Sequence, residues 1–310
     1  MSEIEVWRGG INPWECDGMG HLNVRFYVSI AMEGLVGVAQ ALGLPDAFSP
    51  DAASTLLLAG QHIRFLREAR AHAALHMTAG VVEMGESDAV ILQVLYHSIT
   101  GEPCAALQSR VRHVTSREMR PFAWSSAARA RAEDLKVEVP PFAAARSIST
   151  RPIEAAEASL AKADELDLRT IGMGAFGMQD CDGFGRMQPH LFIGRISDGI
   201  NGLVTPFRAT VVEHAEPKPG RVGGAALEYR TIHFNWPTVG DRFVIRSGFS
   251  AVDGKTQRLT HWVLDPATGT PWGMSEAAVT TFDLDMRKIV SITEEARAIL
   301  QTWVTPGLVF

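Results

Sequence analysis

The chain has 310 residues, 46% hydrophobic and 21% charged, with 29 basic against 35 acidic side chains. That composition excludes a disordered, collagenous or coiled-coil chain, and the net charge of −6 excludes a broad basic surface for nucleic acid. Cys16, Cys104 and Cys181 are too few and too scattered for a disulfide framework or a zinc site, and neither a signal pattern nor an 18-residue uncharged apolar run occurs. The expectation is a protein of the reducing cytoplasm, clear of membrane and nucleic acid, with about two domains.

In chain order, a short strand over 5–14 leads into a glycine-rich loop, Cys16-Asp17-Gly18-Met19-Gly20. Asn23 is placed to cap a helix from Val24 to about Leu42, which Gly43 and Pro45 end. Arg25 and Glu33 are its only charges, so the helix reads as buried nearly all round. Strands follow over 62–67 and 75–82 and on both sides of Thr100-Gly101. An alanine-rich helix over 125–135, a linker over 138–151 with Pro140-Pro141, and a second alanine-rich helix over 151–166 come next.

Then the order starts again. A strand over 170–179 precedes Cys181-Asp182-Gly183-Phe184-Gly185, and Pro189 suits the first turn of a helix. Strands are expected over 227–236, 241–252, 257–265 and 276–283, and a last helix over 293–303. Residues 16–38 and 181–203 share six identical positions of 23 at an offset of 165, where chance supplies about one or two. Phe65 falls on Phe234 at 169, Thr100-Gly101 on Thr268-Gly269 at 168, and Met119-Arg120 on Met286-Arg287 at 167. The chain thus reads as a duplicated unit of roughly 120 residues, an α+β layer of one helix against an antiparallel sheet. The divisions are residues 1–122, a helical linker over 123–169, and 170–310.

The repeated loop before a buried helix resembles the hotdog-fold thioesterases, in particular the 4-hydroxybenzoyl-CoA thioesterase-like branch, whose loop reads approximately D-x-D-x-x-G-H-x-N. Asp17, Gly20, His21, Asn23 and Tyr27 fit it, with Glu15 in place of the first acid. The second copy keeps Asp180, Asp182 and Gly185 but carries Arg186 for the histidine and Gln188 for the asparagine. The resemblance implies two tandem hotdog repeats, each a long helix wrapped by a curved antiparallel sheet, pairing as an internal pseudo-dimer. It also implies hydrolysis of an acyl thioester of coenzyme A or acyl-carrier protein, with coenzyme A as part of the substrate and no metal or organic cofactor. The double-hotdog chain is further expected to form a homodimer.

The chemistry suits these residue types. A loop carboxylate, Asp17 and in the second copy Asp182, serves as nucleophile or general base, while free N–H groups at a helix N-terminus polarise the carbonyl. Asn23 and Glu33 join them as catalytic candidates, Glu33 because no local cation pairs it. Asp198 instead has Arg195 three residues before it, an ion-pair spacing. Gly20, His21, Val24, Tyr27, Gly185, Arg186 and Gln188 are the substrate-binding candidates, Arg186 either as charge partner of Asp182 or as receptor for an acyl carboxylate.

The remaining signals read as structural. Cys16 and Cys181 lack a histidine–carboxylate setting, His72 and His76 stand in a strand context, and Gly172-Met173-Gly174-Ala175-Phe176-Gly177 opens onto no helix. Arg64, Arg67, Arg70, Arg110 and Arg112 read as solvated strand surface, with coenzyme A phosphates as the alternative. Two further activities stay open: a hydratase or dehydratase using Asp182 and His190, and a non-catalytic acyl-thioester-binding module.

Overall fold

Near-continuous runs of buried side chains, such as Thr55–Ala59 and Ile91–Leu95, build the first sheet, as strands covered on both faces require. In the computed structural model, which describes residues 3–308 and 310, the chain divides into two compact units. The first comprises residues 1–144 together with 178–191, and the second comprises 145–177 with 192–310.

In the first unit, β1 (Ile4–Gly10), β2 (Ser54–Phe65), β3 (Ala74–Met84), β4 (Asp88–His97) and β5 (Pro103–Thr115) form an antiparallel sheet in the order β1-β3-β4-β5-β2. Helix α1 (Val24–Ala41) buries Tyr27, Val28, Ile30, Ala31, Leu35, Val38 and Ala39. It is not buried all round, because Glu33, Val36 and Gln40 are exposed and make an outer stripe. Gly34 and Gly37 lie where a Cβ would come within about 3.1 Å of Val6, so these glycines let α1 settle on β1. Helix α2 (Ser126–Asp134) is capped by Ser125, whose side chain accepts from Ala128 N–H.

The second unit repeats the order. Its strands are β6 (Arg169–Ala175), β7 (Val222–His233), β8 (Arg242–Val252), β9 (Gln257–Leu264) and β10 (Pro271–Asp283), and β11 (Lys288–Ile289) pairs with β10. The sheet runs β7-β10-β9-β8-β6, the same path as β2-β5-β4-β3-β1. Helices α4 (Pro189–Gly199) and α5 (Asn201–Glu213) stand where α1 stands, interrupted only at Ile200. At Gly199 a Cβ would collide with the Ile171 carbonyl of β6, which accounts for a glycine matching Gly34. Stacked Phe207 and Phe249 (4.7 Å) with Leu203, Val211, Leu259 and Leu300 fill a core beneath α6 (Glu294–Gln301).

Two further expectations need correction. The helix expected over 151–166 is only α3 (Leu160–Glu165), after a single 3-10 turn at Ala155–Glu157. Pro152 disfavours helix at Arg151, and Arg230 on β7 donates to the Ser149 and Arg151 carbonyls, holding the chain extended. Glu228 on the same strand accepts from Arg146 N–H (2.9 Å) and Ser147 N–H (2.7 Å), so 146–151 is strapped onto β7 by two buried charged side chains.

The second correction concerns register. Left-handed residues recur at a constant offset of 168, namely His72/Gly240, Gly101/Gly269 and Met119/Arg287. Phe65 therefore corresponds to His233, and Met119 to Arg287. The aromatic pairs agree: Tyr27 meets Phe65 edge-on at 5.1 Å, and Phe192 meets His233 edge-on at 4.8 Å. Three residues inserted between the repeated loop and β7 account for the whole change from 165 to 168. The identities at 169 and 167 are coincidental.

Candidate functional site

Both glycine-rich loops, Cys16–Asn23 and Cys181–Gln188, lie in the first unit. Their backbones are wired identically. Asp17 N–H donates to the His21 carbonyl (2.7 Å) and Gly20 N–H to the Asp17 carbonyl (2.9 Å); Asp182, Arg186 and Gly185 repeat both bonds at 2.7 and 2.9 Å. Gly20 (φ +80°) and Gly185 (φ +78°) take the left-handed conformation that closes each turn. Gly183 packs on Pro50, with room for a Cβ only at 3.1 Å.

The two aspartates differ in one oxygen. Asp17 Oδ1 accepts from Met19 N–H (2.8 Å) and His21 N–H (3.1 Å), and among the described residues nothing donates to Oδ2. Asp182 Oδ1 accepts the equivalent pair, Phe184 N–H (2.9 Å) and Arg186 N–H (3.0 Å). Its Oδ2 is taken as well, by Arg186 Nε (3.3 Å) and Nη2 (3.2 Å). Arg186 is 4% exposed, lies over the Phe184 ring at 4.4 Å, and leaves Nη1 buried without a partner. Of the two roles expected for Arg186, the ion pair is the one its geometry displays.

At the corresponding place in the first loop, His21 turns the other way. Its Nε2 lies 3.2 Å from Glu68 Oε2, and Arg70 Nη2 reaches the same oxygen at 3.1 Å. Leu22 N–H donates to the Ala69 carbonyl (2.8 Å), so the loop is pinned along the β2–β3 connection.

Asn23 caps α1 by accepting from Arg25 N–H (3.1 Å), and Phe26 N–H donates to its carbonyl (2.9 Å). Among the described residues nothing accepts from Val24 N–H, which leaves one donor free at the positive end of the helix. Tyr27 is buried, and desolvation pushes its hydroxyl far above the usual range. Gln188 Nε2 braces the second loop by donating to the Cys181 carbonyl (3.1 Å).

Other candidates lie elsewhere. Glu33 is exposed on the outer stripe of α1 and accepts from Trp7 Nε1 (2.9 Å) on β1, a partner 26 residues away that no local pattern foretells. Cys16 is half-buried, with its thiol shifted up chiefly by burial. His76 hydrogen-bonds Ser98 (3.0 Å) on β3, and His72 sits in the turn before it. Arg64 donates to the Ala144 carbonyl (2.7 Å), Arg67 pairs with Glu102 (2.8 Å) and Arg110 with Asp88 (3.0 Å). His190 is pushed down to about 4, first by burial and then by the nearby Arg25 charge. Asp182 is committed to Arg186, so the His190–Asp182 pairing needed for a hydratase is not formed.

Glu68 was missed by sequence reasoning. It sits among Arg64, Arg67 and Arg70 in a stretch that reads as charged surface. Among the described residues no helix is long and apolar enough to cross a membrane, and no cluster of three metal-ligating side chains forms.

Residues 11–146 match the family model of the thioesterase-like superfamily. No curated protein matches the chain. Among solved structures, an acyl-ACP thioesterase from Bacteroides thetaiotaomicron is similar with a TM-score of 0.64 at 10% identity, over 90% of this chain and 98% of that one. The 12:0-ACP thioesterase from Umbellularia californica gives 0.65 at 8% identity, over 90% and 94%. A protein described as an oleoyl thioesterase from Lactobacillus plantarum gives 0.66 at 12% identity, over 90% and 96%. At these identities the likeness carries the fold, a tandem hotdog spanning both copies.

Proposed function

We propose that this chain, a tandem hotdog protein whose first copy belongs to the thioesterase-like superfamily, hydrolyses acyl thioesters with Asp17 as its working carboxylate. The observation that carries the reading is that Oδ2 of Asp17 is free, whereas both oxygens of its counterpart in the second loop, Asp182, are occupied.

Asp17 Oδ1 is held by two backbone N–H groups, which fix the carboxyl plane and point Oδ2 as the base. Oδ2 takes a proton from water as its oxygen attacks the thioester carbonyl carbon. The carbonyl oxygen, gaining negative charge, accepts from Val24 N–H at the start of α1, where the helix dipole adds to its stabilisation. Collapse of the tetrahedral intermediate breaks the C–S bond. The thiolate takes the proton back from Asp17, leaving a carboxylic acid and a free thiol. The reaction draws on no cofactor, and coenzyme A or a carrier protein enters only as part of the substrate.

The second loop supplies structure rather than a second base. A buried arginine neutralises Asp182 and removes its lone pairs from chemistry. Long-chain acyl groups on carrier protein are the first substrates to try, since the neighbours of similar fold are described as acyl-ACP and oleoyl thioesterases.

Thiol release detected with DTNB, over acyl-CoA and acyl-carrier-protein substrates of graded chain length, tests the activity. No release from any of them overturns the reading. Single turnover in H2(18)O tests the role of Asp17: the general-base route puts the label in the product acid in the first turnover. Label entering Asp17 instead marks direct attack.

A further inference from the structure

Glu68 has no place in the repeated motif, yet its carboxylate meets the loop that carries Asp17. Glu68 Oε2 receives both His21 Nε2 (3.2 Å) and Arg70 Nη2 (3.1 Å). Arg70 Nη2 also lies 3.4 Å from His21 Nε2, but a guanidinium only donates, so it cannot share that nitrogen with a proton aimed at Glu68. The carboxylate, the nearer of the two groups and an acceptor only, favours the tautomer in which Nε2 carries the proton. The His21 side chain is only 16% exposed, so the ring is held rather than left free in solvent.

The backbone of the same histidine makes two bonds to Asp17. His21 N–H donates to Oδ1 and its carbonyl accepts from Asp17 N–H. A clamp on the ring is therefore a clamp on the carboxyl plane.

The second copy gives an internal control. At the offset of 168 that the strand registers establish, Glu68 corresponds to Trp236 and Arg70 to Thr238. Neither position carries a carboxylate or a guanidinium of its own. The residue in the place of His21 is Arg186, and it folds back onto its own aspartate, filling Oδ2. An outward anchor and a free Oδ2 thus occur together in one copy, and both are lacking in the other.

We propose that Glu68 is a positioning residue for the Asp17 carboxylate, acting through the ring of His21. This rests on the hydrolase reading for its kinetic readout, so a second readout independent of turnover is included. In wild type, nitrogen-15 NMR of the His21 ring is expected to report a protonated Nε2, and Glu68→Ala is expected to release that preference and speed amide exchange at Met19 and His21 about tenfold. A ring and amides indifferent to Glu68→Ala overturn the proposal whether or not any thioester is cleaved.

Kinetically, Glu68→Ala is expected to lower kcat about tenfold with KM within twofold, because misplacing a base by less than 1 Å costs rate rather than binding. Glu68→Gln, whose amide oxygen still accepts from Nε2–H, is expected to recover most of the rate. His21→Ala and the His21→Ala/Glu68→Ala double variant are expected to match each other. If the two losses multiply instead, Glu68 acts by another route and the proposal fails. If wild type cleaves no thioester, the hydrolase reading fails while the NMR arm still decides the role of Glu68.

Discussion

Replacing each loop aspartate by asparagine separates catalysis from stability. In Asp17→Asn the amide oxygen inherits both backbone N–H bonds, from Met19 and His21, and the amide nitrogen occupies the place of Oδ2, which has no partner to lose. The expected stability change is under about 1 kcal/mol, whereas loss of the general base costs about 10²- to 10⁴-fold in rate, or roughly 3 to 5 kcal/mol of barrier. Asp182→Asn has the opposite profile. Arg186, 4% exposed, loses the anion that two of its nitrogens contact, and an uncompensated buried guanidinium costs roughly 2 to 4 kcal/mol. The Asp182 side chain is 35% exposed, so solvent screening favours the lower end. At about 2 to 4 °C per kcal/mol for a unit of this size, the melting point should fall by roughly 4 to 16 °C. DTNB assays and thermal melts on the two variants suffice. An Asp17→Asn enzyme retaining a tenth of wild-type kcat, or a stable Asp182→Asn enzyme that has lost activity, would refute the assignment of the two loops.

Other outcomes follow from buried charges and close backbone approaches. Glu228→Ala leaves two N–H groups of the 146–151 strap without acceptors, at about 1 to 3 kcal/mol each, and trypsin should then cut faster after Arg146, which Ser147 follows; unchanged cleavage would mean the strap holds without it. Gly199→Ala should cost about 3 kcal/mol or fail to fold, since its Cβ would collide with the Ile171 carbonyl; a near-neutral effect in urea melts would contradict the packing of α4 on β6. Burial depresses His233 to about 4 and His261 to about 3. Both are neutral when folded, so their contribution is complete above the unfolded value near 6.5 and is lost as pH falls toward the folded values. Between pH 7 and pH 5 each should withdraw roughly 2 kcal/mol. His261→Asn should flatten that slope in urea titrations, and an unaltered slope would count against it.

The legible parts of this molecule were those set by local backbone chemistry. An aspartate three residues before the glycine that closes its turn, repeated 165 residues later, dictates the same hydrogen bonds twice, and the two loops agree. Strand register was less legible. Phe65 and Phe234 are identical residues but not equivalents, and a slip of one residue turns every side chain to the opposite face. The left-handed turn residues and the Tyr27–Phe65 and Phe192–His233 contacts resolve it. The site itself was half visible. Asp17, His21 and Asn23 follow from the motif, but which carboxylate oxygen stays free depends on whether the next polar side chain turns outward or inward. Glu68 comes from 47 residues beyond His21, Trp7 from 26 before Glu33, and no periodicity reports such pairings.

The first compact unit is discontinuous, needing residues 178–191 as well as 1–144. A ribosome must therefore add 47 residues beyond Ala144 before that unit has all of its chain, a delay of roughly 2 to 10 s at ordinary elongation rates. During that interval the nascent unit waits with its own loop complete and the later loop missing. Slowing translation across 145–191 should lengthen that exposure, and a fragment ending at Ala144 should remain the incomplete species, prone to aggregation or capture by chaperones.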